Sequence, residues 1–102
     1  MIGRRKPLGD LIRRQLDAFE RDHADVIAET QAKLDAYNAA DRDDAEELYG
    51  DYLDAVETGT EILADMRDHY AATLDDGDPY IRDFNRAVTR RLPEYALEIE
   101  NR

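Results

Sequence analysis

Apolar and semi-polar side chains recur along this chain in steps of three and four, and that spacing limits the available folds more than any other feature. Ile12, Leu16, Phe19, His23, Val26, Thr30 and Tyr37 form one series, widened by Leu11, Ile27 and Leu34. Ala45, Tyr49, Tyr52, Val56, Gly59, Leu63, Met66, Tyr70 and Thr73 form a second. An α-helix turns once in about 3.6 residues, so each series occupies one helical face. No stretch shows the period of two that marks a half-buried strand. The pattern predicts an all-α chain.

Local signals divide it into three helices over about 8–40, 42–75 and 79–101, within a single domain spanning residues 1–102. Asp10, with Pro7 just ahead, is a suitable N-cap for the first helix. Asp41 can cap the second, and Asp43, Asp44, Glu46 and Glu47 suit the positive end of its dipole. In Asp75-Asp76-Gly77-Asp78-Pro79, Gly77 is read as a left-handed stop, Asp78 as the next cap and Pro79 as a first-turn residue. Pro93 removes a helical hydrogen bond and predicts a kink in the third helix near residues 90–92.

Helices of roughly 30 residues are about 45 Å long, and a short connection between two of them favours an antiparallel hairpin. The expected architecture is therefore a long hairpin with a third, proline-kinked helix, forming a three-helix bundle. Leu, Ile, Val and Phe together supply only 21 of 102 residues. So few apolar residues cover a long seam poorly, which predicts self-association into a homodimer or larger bundle.

Charge narrows the function classes. Asp and Glu number 25 against 14 Lys and Arg, for a formal net charge of −11. A phosphate backbone selects clustered cations, so nucleic acid is not an expected partner. An acidic surface keeps a protein soluble, meets a basic protein partner, or imitates nucleic acid. Cysteine and serine are both missing from the sequence, which removes disulfides, thiolate metal sites and a Ser-His-Asp triad. No glycine-rich phosphate loop occurs, and enzyme chemistry finds little support. No apolar run reaches the roughly 18 residues of a membrane span, and cytoplasmic residence is the default expectation.

Glu57-Thr58-Gly59-Thr60-Glu61 is the least helix-like passage in the second series. Glycine inside a helix costs about 1 kcal/mol relative to alanine, so space at Gly59 must serve something. In a hairpin turning near residue 41, positions whose numbers sum to about 82 face each other. That register predicts His23 in the hollow over Gly59, within a polar core layer of His23, Thr30, Thr58, Gly59 and Thr60. A layer of this kind fixes register and partner in a bundle.

A sharper alternative is a metal site. Glu20-Arg21-Asp22-His23 is a Glu-x-x-His, placing two ligands on one face, with Glu57 and Glu61 four apart on the facing helix. This set is similar to the ligand set of ferritin-like di-iron bundles, which implies Fe, Mn or Zn as cofactor. The full set there has two such motifs and two further glutamates, so a symmetric dimer would have to supply the remainder. Otherwise no cofactor is expected.

The basic residues cluster at Arg4, Arg5, Lys6, Arg13 and Arg14, and recur at Arg82, Arg86 and Arg90 with Arg91 beside them. The first group is a possible docking arm for an acidic partner or a membrane surface, though its shortness and the acidic residues beside it argue against that use. The second is expected to pair with Asp65, Asp68 and Asp76 of the second helix, or with a neighbouring subunit. His69 fits a structural role beside a helix C-terminus. The functional expectation is a non-catalytic acidic helical interaction module, an adaptor, regulator or inhibitor acting through its helix faces. Alternatives are a metal-binding bundle and an acidic nucleic-acid mimic.

Overall fold

The computed structural model describes residues 7–102; the basic cluster Arg4, Arg5 and Lys6 lies outside them. Five α-helices follow one another: α1 Pro7–Asp22, α2 Ala24–Asn38, α3 Arg42–Ala71, α4 Asp78–Arg91 and α5 Ala96–Glu100. A 3-10 turn, Pro93–Tyr95, joins the last two. No strand occurs among the described residues, and none of their helices is long and apolar enough to cross a membrane. The molecule is elongated, 55 × 27 × 21 Å.

The core occupies one end. Ile12, Leu16 and Phe19 of α1 meet Val56, Leu63 and Ala64 of α3, Tyr80, Phe84 and Val88 of α4, and Leu92, Tyr95 and Ile99 beyond it. Ridges spaced three and four apart on each helix bring these side chains inward, and their burial drives the packing. The other end consists of α2 and the first part of α3. No residue from 31 to 54 is fully buried there.

The stretch expected as one first helix is two. His23 leaves helical geometry at φ −125°, ψ 35°, although its N–H still reaches the Phe19 carbonyl at 2.9 Å and its own carbonyl accepts from Val26 at 3.0 Å. The bend changes partners: α1 packs on α4, while α2 packs along α3. An apolar stripe can run unbroken through such a bend because each half still buries its own face.

The third helix is likewise broken rather than kinked. Leu92 turns to φ −133°, ψ 65°, and the chain resumes as the 3-10 turn before α5. Proline cannot donate the next helical hydrogen bond, and its ring disfavours helical geometry in the residue before it.

The caps differ from expectation too. Helix α1 already includes Pro7, so Asp10 lies in its first turn rather than at its cap. Asp41 does occupy the N-cap position of α3 but makes no side-chain cap bond. Gly77 is right-handed, at φ −81°, ψ −11°, and is itself the residue before α4, which starts at Asp78. What Gly77 provides is room, since a Cβ there would lie 3.1 Å from the Ala71 Cβ and carbonyl oxygen.

Candidate functional site

Gly59 is buried on α3, and its missing side chain makes room for Tyr95, not for His23. A Cβ at Gly59 would run into Cε1 of the Tyr95 ring, with Cζ at 2.7 Å and the hydroxyl at 3.0 Å. The break at Pro93 delivers this tyrosine, because the 3-10 turn swings Tyr95 inward until 1% of it remains exposed. Phe19 meets its ring edge-on, with centroids 6.1 Å apart. The Tyr95 hydroxyl lies 2.8 Å from Thr30 Oγ1, which itself donates to the Val26 carbonyl at 3.0 Å. Thr30 has one hydroxyl hydrogen and spends it on Val26, so Tyr95 must donate. Desolvation raises the Tyr95 pKa above the ordinary tyrosine value.

Of the residues expected in a polar layer, Thr30 and Gly59 thus meet around Tyr95. Thr60 is buried nearby on the chain but bonds its own helix, donating to the Val56 carbonyl at 2.8 Å. Thr58 is exposed and bonds the Asp54 carbonyl at 3.1 Å. His23 is half-buried at the bend, its ring 5.5 Å from that of Phe19.

The four candidate metal ligands do not come together. Arg91 holds Glu20 in a two-point contact, Nε to Oε2 at 2.9 Å and Nη2 to Oε1 at 2.8 Å, and also binds Asp17. The bonds to Glu20, then Asp17, raise the Arg91 pKa, so this guanidinium stays charged and fastens α4 to α1. Glu57 is exposed, 3.6 Å from Arg102, and Glu61 is exposed on the same helix. Among the described residues, no group of three His, Asp or Glu is arranged to hold a metal ion.

Sequence reading passed over Arg67, which is 2% exposed. It donates to Asn85 Oδ1 at 2.9 Å, the Ile99 carbonyl at 3.1 Å and Asp68 Oδ1 at 2.8 Å. One side chain therefore ties α3 to α4 and to α5. Its spacing was the available signal, since Gly59, Leu63 and Arg67 fall four apart on one face. Tyr80 is anchored similarly, donating to Gln15 Oε1 at 2.8 Å, and desolvation raises its pKa. Every buried side-chain nitrogen and oxygen among the described residues has a partner. The polar groups of the packed end are thus satisfied internally.

Leu97 of α5 is 75% exposed at the packed end; the other exposed large apolar side chains lie elsewhere. Residues 31–54 carry eight carboxylates (Asp35, Asp41, Asp43, Asp44, Glu46, Glu47, Asp51, Asp54) against Lys33 and Arg42, a net −6 of the chain's −11. Between α2 and α3 runs an open groove of about 570 Å³ with Asp25 and Glu29 on one bank and Asp51 and Asp54 on the other. Lys33 sits on its edge, 3.7 Å from Glu29. On the same two helices Tyr49 is 44% and Leu53 43% exposed, a turn apart on α3. Tyr37, Tyr49 and Tyr52 stack in sequence, with ring centroids 5.1 and 6.2 Å apart.

The arginines of α4 do not bridge to α3 as expected. Arg86 pairs with Asp83 on its own helix at 3.4 Å, and Asp68 is taken by Arg67. Arg82 and Arg90 are exposed and without an ion-pair partner among the described residues. Comparison with known proteins identifies no relative: no family model matches the chain, and no match emerged among curated proteins or solved structures.

Proposed function

We propose that this chain is a non-catalytic, acidic helical interaction module whose α2–α3 arm docks onto a basic protein partner. One observation carries the reading. The arm from residue 31 to 54 buries no side chain fully, yet holds more than half of the net charge and two exposed apolar side chains. Carboxylates around an open groove attract cationic side chains over distances of about 10 Å, and apolar knobs beside them supply the contact that persists in salt. Tyrosines with one wet edge suit a surface that a partner covers.

The arrangement also accommodates self-association, which would cover apolar surface that the short chain leaves open. As a regulator or inhibitor, the module would occupy a cationic surface on its target. The packed end would serve as the rigid base for the arm.

An amphipathic helical peptide of arginine and leucine serves as the probe, with fluorescence anisotropy as the readout. Binding is expected at low ionic strength, weakening steeply as salt rises. Replacing Asp51 and Asp54 by Asn is expected to weaken it roughly tenfold, about 1.4 kcal/mol, the low end of charge-pair couplings. A peptide that binds equally well to this variant, or fails to bind at any salt concentration, would overturn the proposal.

A further inference from the structure

The basic counterpart of the acidic arm lies on the same molecule, at the packed end. Between α1 and α4 runs a second groove, of about 380 Å³, floored by Ile12, Leu16 and Ala87 and rimmed by Arg13, Arg86, Arg90 and Arg91, with Asp83 among them. Nothing lies within 4 Å of where a Gly9 side chain would begin, so the α1 bank is low. Arg13 has Asp10 at 3.4 Å and Arg86 has Asp83 at 3.4 Å, both loose exposed pairs that contribute little.

The outer face of the arm has the complementary form. Glu46, Tyr49, Gly50 and Leu53 fall on one face of α3, and nothing lies within 4 Å of a side chain built at Gly50. Tyr49 and Leu53, 44% and 43% exposed, stand as two knobs beside that flat position, with the carboxylate of Glu46 on the same face. On the groove's rim Arg86 and Arg90 are four residues apart, about 6 Å along α4. The groove therefore offers an apolar floor beneath cations that suit the carboxylates of the arm.

We infer that the α1–α4 groove of one copy receives the outer face of the α2–α3 arm of a second copy, giving head-to-tail self-association. A single molecule cannot close this contact on itself, because the arm and the groove belong to opposite ends of a 55 Å particle. Symmetric pairing of two arms would instead set a −6 surface against another, which like-charge repulsion opposes. The contact is heterologous, so each added copy leaves one groove and one arm open. This inference rests on the arm being a docking surface and names one occupant for it.

The test uses two exposed-surface variants of the full chain: a groove variant, Arg86→Gln with Arg90→Gln, and an arm variant, Tyr49→Ser with Leu53→Gln. Sedimentation velocity in low-salt buffer is expected to show wild-type chains associating with rising concentration and dissociating as salt is added. Each variant alone is expected to associate at least tenfold more weakly. Mixed in equal amounts they should form a dimer and nothing larger, since only one intact arm and one intact groove remain. Three results would overturn the inference: a concentration-independent mass of 11.7 kDa for the wild type, a dimer that both variants retain, or a mixture that stays monomeric. Circular dichroism confirms that both variants fold. The arginine–leucine peptide separates the two readings: a monomeric mixture that still binds it overturns the head-to-tail contact alone.

Discussion

From Ala55 onward α3 is covered by α4, the 3-10 turn and α5, whereas from Arg42 to Asp54 it is accompanied by α2 with no fully buried residue. Both halves belong to one continuous helix of 30 residues with the same three-four spacing. The difference lies in what packs on them. At the covered end the stripe residues Val56 and Leu63 are 3% and 0% exposed; at the other, the stripe residue Tyr49 is 44% exposed. A helical face thus becomes core only where enough other elements reach it. Stability is expected to concentrate at the covered end and accessibility at the arm.

Truncating one apolar side chain in each region tests that division most strongly. Phe84→Ala removes a ring that is 0% exposed and should lower the unfolding free energy by about 3–5 kcal/mol. Leu53→Ala, on the arm, should stay within about 0.5 kcal/mol of wild type. Urea titrations that give equal losses would break the comparison.

Two glycines on α3 sharpen it with a single substitution. Alanine in place of either gains helix propensity of up to about 1 kcal/mol. At Gly50 nothing lies in the way, so Gly50→Ala should raise the urea midpoint. At Gly59 the new methyl meets the Tyr95 ring, which Phe19 and Thr30 hold in place; the net cost should reach about 2 kcal/mol once overpacking of up to about 3 kcal/mol is set against the propensity gain. The same change nine residues apart should therefore move the midpoint in opposite directions.

The smallest effect appears at alkaline pH. Burial raises the pKa of Tyr80 and of Tyr95, both at the covered end. Their neutral forms are favoured in the folded state, so that stabilisation is complete below the unfolded tyrosine value of about 10. It is lost as pH rises through the higher folded values, because the unfolded chain releases those protons first. Tyr95→Phe should cost about 1 kcal/mol at neutral pH through loss of the bond to Thr30. The same variant should also show a shallower fall of the urea midpoint above about pH 10. An unchanged alkaline limb in a Tyr80→Phe, Tyr95→Phe double variant would remove these groups as its cause.

Much of the fold was legible because helical periodicity is a local property. Ile12, Leu16, Phe19, Val56 and Leu63 stand on predicted stripes and are all buried. Thr30 and Gly59 were also marked as special, since a polar residue and a glycine on an apolar face each need a reason. Their partner was not legible. Tyr95 reaches them from a 3-10 turn after a helix break, 36 positions beyond Gly59, and periodicity carries no information about such a return. Nor was the bend at His23, where Asp22-His23-Ala24 contains neither proline nor glycine and the stripe continues through it.

The sequence alone determined the helical class, the acidic character and the faces available for burial, because each follows from residue type and from spacing within a few turns. Tertiary structure decided which faces were used: α1 on α4, α2 on α3, Tyr95 over Gly59, and Arg67 among Asn85 and the Ile99 carbonyl. Those choices depend on groups distant in the chain competing for the same limited space. The residues left over, on the arm and along the arginine stripe, are the ones that remain to meet a partner.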